Sequence, residues 1–174
     1  MKIAISTKIH NGAWGGGNNF LSNLFEFLKK KKCSVYFDLN QNNIDIILMM
    51  DPRPQSALST FTHFQILDYI KKNKNTIVVH RINECDERKG TKNINKFLMR
   101  GNDVADHTVF ISSWLKSLFL NYKNFENSCI IFNGANRKIF NSGNLNYSKE
   151  KKFKLVTHHW SNHINKGFNI YKMI

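Results

Sequence analysis

Six short runs of apolar and β-branched residues recur along the chain, and the segments between several of them have the spacing of amphipathic helices. The runs are KIAIS (2–6), CSVYF (33–37), IDIILMM (44–50), TIVVH (76–80), HTVFI (107–111) and CIIF (129–132). They are nearly continuous rather than alternating, which is typical of strands that are covered on both faces. The pattern therefore predicts an α/β domain with a doubly wound, mainly parallel sheet.

Three amphipathic helices are predicted between these strands. The first, over 18–31, has an apolar stripe of Phe20, Leu21, Leu24, Phe25 and Leu28 and a lysine-rich end, which suits the negative end of the helix dipole. The second, over 56–72, has a stripe of Phe61, Phe64, Leu67 and Ile70. The third, SSWLKSLFL, starts at Ser112, whose hydroxyl is a candidate N-cap.

Composition limits the classes to which the chain can belong. A hydrophobic content of 41% with fourteen phenylalanines excludes an intrinsically disordered chain. The three cysteines Cys33, Cys85 and Cys129 are far apart, so they suggest neither a disulfide framework nor a zinc site. No run approaches the twenty apolar residues that cross a bilayer, and no signal peptide is recognisable. The expected location is cytoplasmic, with peripheral contact on the inner face of the membrane left open.

The formal net charge of +14 raises the alternative of a polyanion partner. Lysines and asparagines are spread over every segment, however, as in KKNKNT and NLNYSKEKKFK. This spread favours a general compositional bias over a nucleic-acid-binding surface, and no nucleic-acid motif is recognisable. A patch facing a membrane or a phosphate remains the second interpretation.

A glycine-rich loop, NGAWGGGNNFL (11–21), joins the first strand to the first helix. Ligands of open α/β sheets bind at the carboxyl ends of strands, where helix N-termini present free N–H groups. Gly15, Gly16 and Gly17 would let the backbone approach a phosphate or sugar closely, and they tolerate positive φ. The loop matches neither the dinucleotide fingerprint nor the Walker motif. A flexible surface loop is the alternative.

Five segments, in this order, resemble glycosyltransferase family 4. They are GGGNNFLSNLFEFL, VVHRINECDERKG, HTVFISSWLKSLF, IIFNGANRKIFN and FKLVTHHWSNHINKGFNIY. The resemblance implies a GT-B enzyme, in which two Rossmann-like domains face each other across a cleft. It also implies that a sugar is transferred with retention from a nucleotide donor, without a metal or another cofactor.

The resemblance assigns roles to individual residues. Donor phosphate or sugar binding is expected from Gly15, Gly16, Gly17, Asn18 and Lys166. His80 resembles a cleft histidine near the reacting sugar and is the catalytic candidate. Contacts to the acceptor are expected from Arg81, Asn83, Asp86, Ser112, Trp114 and Asn133. The arginine that usually accompanies the lysine is missing from HHWSNHIN, and the clustered histidines there lack the carboxylate or cysteine of a metal site.

The same resemblance predicts the domain organisation. Residues 1–145 would form the acceptor-side N-terminal domain, 146–152 a polar linker, and 153–174 the first strand and helix start of an incomplete donor domain. The paired glutamates that grip the donor in the family belong to the missing part. The isolated chain is therefore expected to be inactive, and a separate donor-domain chain is a possible partner.

The function expected from the sequence is transfer of a sugar from a nucleotide sugar to a glycan or a lipid-linked acceptor. This chain would supply the acceptor-side half, through positioning and phosphate stabilisation. Two alternatives stay open. One is a non-catalytic module, or a remnant, that binds carbohydrate or phosphate, and the other is a basic nucleic-acid-binding domain.

Overall fold

The computed structural model describes residues 1–12, 14–54, 56–141, 143, 167–171 and 173. These residues fall into two compact units, Met1–Asn133 and Gly134–Ile174. The second unit contains one short helix in its described part, Phe168–Tyr171, which is α6 in chain order. The predicted linker at 146–152 and the strand expected from 153 lie outside the described residues.

The first unit is built on a parallel sheet, which confirms the predicted fold class. Its strands are β1 (Lys2–Ile5), β2 (Ser34–Tyr36), β3 (Ile46–Met49), β4 (Ile77–Ile82), β5 (His107–Phe110) and β6 (Ser128–Ile130). Their order in the sheet is β2-β1-β3-β4-β5-β6, and every neighbouring pair is parallel. The six apolar runs of the sequence each supply one strand. The fold is Rossmann-like, with strand order reversing between β1 and β3.

Helices connect these strands along the chain. They are α1 (Gly16–Lys30), α2 (His63–Lys72), α3 (Asp86–Lys89), α4 (Ile94–Asn102) and α5 (Ser113–Leu120). The first predicted helix starts two residues earlier than expected, and it ends at the lysines Lys29 and Lys30 as predicted. The third predicted helix is confirmed with its cap, because the Ser112 hydroxyl accepts a hydrogen bond from the Leu115 N–H at 3.1 Å.

The predicted second helix is wrong at its start and in its buried face. The helix begins at His63 rather than at 56, because the side-chain oxygen of Gln65 accepts hydrogen bonds from both the backbone N–H and the hydroxyl of Thr62, and so caps this end. Phe64 and Leu67 of the predicted stripe are exposed, whereas Ile66 and Tyr69 are buried. The other two residues of the predicted stripe face the core, because Phe61 is buried before the helix begins and Ile70 packs against the same cluster as Ile66, so half of the stripe lies on the solvent side.

The two faces of the sheet are covered by different helices. Ile3 and Ile5 of β1 pack in one cluster with Leu21 of α1. Ala4, the residue between them, packs in another cluster with Ile66 of α2. Successive side chains of a strand point to opposite faces, so this alternation fixes which face each strand residue occupies. The two clusters explain why the strands are apolar along nearly their whole length.

Candidate functional site

The candidate site lies where the carboxyl ends of the strands meet, and we call this border the carboxyl edge. The chain leaves β1 toward β2 on one side and later enters β3 on the other side of β1. Crevices at such a reversal of strand order are the usual ligand sites of open α/β sheets. The glycine-rich loop and the start of α1 follow β1 at this edge.

The first turn of α1 presents the positive end of the helix dipole without a side-chain cap. It contains no acidic residue, and Gly15 at its N-cap provides no side-chain hydrogen bond. The N–H groups of Asn18 and Asn19 both donate to the Gly15 carbonyl, at 3.2 and 3.3 Å. The N-terminus of a helix attracts anions through its free N–H groups and its dipole.

The glycines at this turn are not required by the protein's own packing. A Cβ added to Gly16 would meet no atom within 4 Å, and one added to Gly17 would only touch the Asn83 side chain at 4.0 Å. Neither residue has positive φ, and Gly15 has φ −34°, so the expected left-handed backbone is not used here. In the loop, positive φ occurs instead at Gly12. Close approach of a ligand remains a reason for glycine at these positions.

Arg81 is a nearly completely buried cation that packs against the second turn of α1. Its side chain comes from β4, and the residue is only 4% exposed. The guanidinium carbon lies 3.7 Å from the centre of the Phe20 ring of α1, a favourable cation–π contact. One nitrogen, Nη2, donates to the Asn133 side-chain oxygen at 2.9 Å. Nη1 is buried and has no hydrogen-bond partner among the described residues.

The charge of Arg81 is uncompensated in the part of the chain that the structure describes. No ion pair to a carboxylate is found for it there, and burial lowers the pKa of Arg81 to about 10. The side chain is still protonated at neutral pH. A buried cation without a carboxylate is costly unless something else pairs with it. Of the predicted site residues, the structure therefore pairs Arg81, which carries the uncompensated charge, with Asn133, and it places Gly17 next to Asn83.

Asn18, predicted to contact the donor, uses its side chain within the loop. The side-chain oxygen accepts from the His10 backbone N–H at 2.9 Å, and the side-chain nitrogen donates to the His10 carbonyl at 2.9 Å. These two bonds hold the loop against the first turn of α1. The side chain thus shapes the loop, and the Asn18 N–H is itself bonded to the Gly15 carbonyl.

His80 lies on the opposite face of the sheet from Arg81, because the two residues are neighbours in one strand. Its side chain is completely buried. Nδ1 lies 3.1 Å from the side-chain nitrogen of Asn102, which also donates to the Thr108 hydroxyl at 2.8 Å. Burial lowers the pKa of His80 from the usual 6.5 to about 3, against the attraction of Asp51, so the ring is neutral. The catalytic candidate is held inside the core, away from the α1 start.

A pH-dependent stability follows from this neutral histidine. Between pH 6.5 and 3 the unfolded chain binds a proton at His80 and the folded chain does not, so stability falls as the pH falls. His80→Gln should lower the slope of unfolding free energy against pH by up to about 1.4 kcal/mol per pH unit. Urea unfolding between pH 6.5 and 5 measures this above the range where most carboxylates titrate. Equal slopes in both proteins would show that His80 is not buried and neutral.

The remaining residues that were predicted to contact the acceptor either cap helices with their side chains or lie at the surface. Asp86 accepts hydrogen bonds from the Ile94 and Asn95 N–H groups, both at 3.0 Å, so its carboxylate caps α4. Ser112 caps α5 in the same way. Trp114 is 52% exposed. Lys166 and the clustered histidines of HHWSNHIN lie outside the described residues.

Sequence reasoning missed a charged network at the carboxyl edge. Arg53 makes a two-pronged ion pair with Asp51, with both distances 2.8 Å, and reaches Glu84 at 2.6 Å. Burial alone would raise the pKa of Asp51, but hydrogen bonds from Arg53 and Ser56 outweigh it and hold that pKa below its usual value. The available signal was DPR directly after the third apolar run, at the same strand ends as the glycine loop.

Comparisons with known proteins do not identify the chain. No protein-family model, curated protein or solved structure matches it. Among the described residues, no group of three or more histidines, cysteines or carboxylates could hold a metal ion. In the same part of the chain, no helix has the length and apolar character to cross a membrane. The carboxyl edge is therefore the feature of the molecule from which a function is inferred.

Proposed function

We propose that the chain binds the phosphate groups of a nucleotide sugar at the start of α1, as the acceptor-side half of a retaining, family-4-like glycosyltransferase. The observation that carries this proposal is Arg81, a buried guanidinium without a carboxylate partner in the described residues, which packs against Phe20 of α1, a helix whose N-terminus has no side-chain cap. Each of the two features attracts an anion, and a phosphate between them would pair with both.

In this proposal the residues act by holding and orienting the ligand. The N–H groups of Gly16 and Gly17 and the guanidinium of Arg81 would bind phosphate oxygens, and Asn133 would fix the plane of the guanidinium through its 2.9 Å hydrogen bond. Donors that are already in place cost little reorganisation when negative charge develops on a departing phosphate. The net charge of +14 would add attraction at longer range.

A non-catalytic sugar-phosphate-binding module is the second candidate. The burial of His80 favours it, because the predicted catalytic side chain has no exposed surface and its ring is neutral. Both candidates use the same phosphate site. They differ in whether the bound nucleotide sugar is turned over.

The test is binding of pyrophosphate, UDP, UDP-glucose and GDP-mannose to the protein, measured by calorimetry. Arg81→Met should weaken all four at least about tenfold, because a charge-assisted hydrogen bond is lost. It should keep or raise thermal stability, since a buried charge is removed. The matched control is Arg100→Met, which removes an exposed arginine of α4 and should leave binding unchanged.

Two outcomes would contradict the proposal. If the wild-type protein binds none of the four compounds, it has no phosphate site. If Arg81→Met and Arg100→Met bind the compounds equally well, the phosphate site is not at Arg81. Release of nucleotide from a bound nucleotide sugar, lost in Arg81→Met alone, would support transfer. Binding without release is expected both of the module and of an acceptor-side half that lacks its donor domain.

A further inference from the structure

We propose that Trp14 is the platform on which the sugar ring of the bound ligand stacks, so that this side chain selects sugar phosphates over other phosphates. The inference rests on the proposed function, because the phosphate of the same ligand would occupy the site at Gly16 and Arg81. Trp14 directly precedes the three glycines. The described structure gives it no role in the core.

Trp14 is an exposed aromatic side chain with one covered face. Its ring stacks on the imidazole of His10, with ring centres 4.5 Å apart and an angle of 29° between the planes. The residue is nevertheless 45% exposed. Because one face of the indole lies on His10, much of the exposed area belongs to the opposite face and the ring edges. The open face of the indole therefore belongs to the residue directly before the glycine run, whereas the more exposed Trp114 has no ring contact among the described residues.

The loop holds this stacked pair in place before any ligand arrives. Asn18 bonds both the backbone N–H and the carbonyl of His10, each at 2.9 Å. The Trp14 N–H donates to the Gly12 carbonyl at 3.0 Å, across a turn in which Gly12 has φ +94°. The His10 Nε2 atom is buried without a partner among the described residues. A platform that is already ordered loses less entropy on binding than a free side chain does.

The chemistry of the platform fits a sugar. The face of an aromatic ring carries partial negative charge, and the C–H groups on one face of a hexose are apolar and weakly positive. Trp14 lies two residues before Gly16, a main-chain span of at most about 7 Å. This short span favours the group bonded directly to the phosphate. In a nucleotide sugar the diphosphate carries the hexose at one end and the ribose at the other, and the base lies beyond the ribose. Of the two groups bonded to phosphate, the hexose is the six-membered ring with an apolar C–H face.

The phosphate end of the ligand has independent support from Arg81. Only 4% of Arg81 is exposed to solvent, and its guanidinium lies against Phe20 in the second turn of α1. Its Nη1 atom has no hydrogen-bond partner among the described residues. The helix start alone would not define a ligand. Trp14 and Arg81 together would favour a ligand in which an anionic group is joined to a ring with an apolar face.

The test compares glucose 1-phosphate, galactose 1-phosphate, UDP and pyrophosphate in NMR titrations. Trp14→Ala should weaken both hexose phosphates about tenfold and leave pyrophosphate unchanged, whereas Trp14→Phe should retain most of the affinity. The matched control is Phe64→Ala, because Phe64 is also an exposed ring against a histidine, with 4.1 Å between the Phe64 and His63 ring centres. That variant should bind all four compounds like the wild type.

The outcomes separate this inference from the proposed function. If pyrophosphate binds in an Arg81-dependent way but Trp14→Ala weakens no hexose phosphate, the phosphate site stands and the platform is overturned. An equal loss of UDP and hexose phosphates in Trp14→Ala also overturns it, because the ring then does not select the sugar. If wild-type protein binds no phosphate compound, both proposals fail.

Discussion

Gly101→Ala is expected to destabilise the protein by roughly 2 to 3 kcal/mol, through overpacking between α4 and the end of β3. A Cβ at Gly101 would lie 2.4 Å from the Pro52 Cβ atom and 2.7 Å from its Cγ atom. The proline ring cannot rotate away as a flexible side chain can, so the backbone must shift. Alanine gains up to about 1 kcal/mol in helix propensity over glycine, which offsets only part of this cost. Urea unfolding at pH 7 measures the difference.

The control for this substitution is Gly134→Ala. A Cβ at Gly134 would meet no atom within 4 Å, and its backbone is not in the left-handed region. The unfolding free energy of Gly134→Ala should therefore stay close to that of the wild type. If Gly101→Ala is as stable as Gly134→Ala, α4 does not pack against Pro52 at the described distance.

The strands could be predicted from the sequence because burial on both faces demands apolar residues at every position. KIAIS and HTVFI became β1 and β5 with boundaries shifted by one residue. The second helix shows the limit of this reasoning. Phe64 and Leu67 have helical spacing but lie on the exposed side of α2. Periodicity predicts that a stripe exists, and the packing of the other residues decides whether that stripe is buried.

The sequence predicts at which strand end the site residues lie, but it does not predict which way their side chains point. HR in VVHRINECDERK marks the end of a buried strand, but adjacent strand residues face opposite sides of the sheet. The structure directs Arg81 toward α1 and His80 toward Asn102 of α4. Nothing in the two residue types decides this, because the choice depends on the register of β4 with both neighbouring strands.

The ion-pair network was missed for a related reason. Arg53 and Glu84 are 31 positions apart in sequence, and they meet because β3 and β4 are adjacent and end at the same edge. A sequence read as separate loops gives no pairing between them. The topology, once known, places both loops together.

Arg53→Met is expected to cost roughly 2 to 3 kcal/mol at pH 7, because it removes the cation that pairs with Asp51 and leaves Glu84 with only the more exposed Lys89, whose Nζ lies 3.2 Å from Glu84. Asp51 and Glu84 have side-chain exposures of 11% and 15%. In the wild type, the pKa of Asp51 is lower than usual. The stabilisation from the Arg53–Asp51 ion pair is therefore fully present at pH values above the usual pKa of a carboxyl group, and it is lost as the pH falls through the lowered pKa. The Arg53→Met variant lacks that pair. The difference in unfolding free energy between the wild type and the variant should therefore be largest near pH 7 and shrink below about pH 4.

A double-mutant cycle with Glu84→Gln separates the Arg53–Glu84 pair from the rest of the network. Glu84→Gln should cost less stability in the Arg53→Met background than in the wild type, because the Arg53–Glu84 pair is already lost there, whereas the Lys89–Glu84 pair is removed in both backgrounds. Lys71→Met is the matched control, since Lys71 pairs with Asp68 at a comparable 2.8 Å but with exposures of 62% and 75%. It should have no measurable effect, because solvent screens such pairs. A deficit in Arg53→Met that does not change with pH would mean that lost packing, rather than uncompensated carboxylate charge, is the cause.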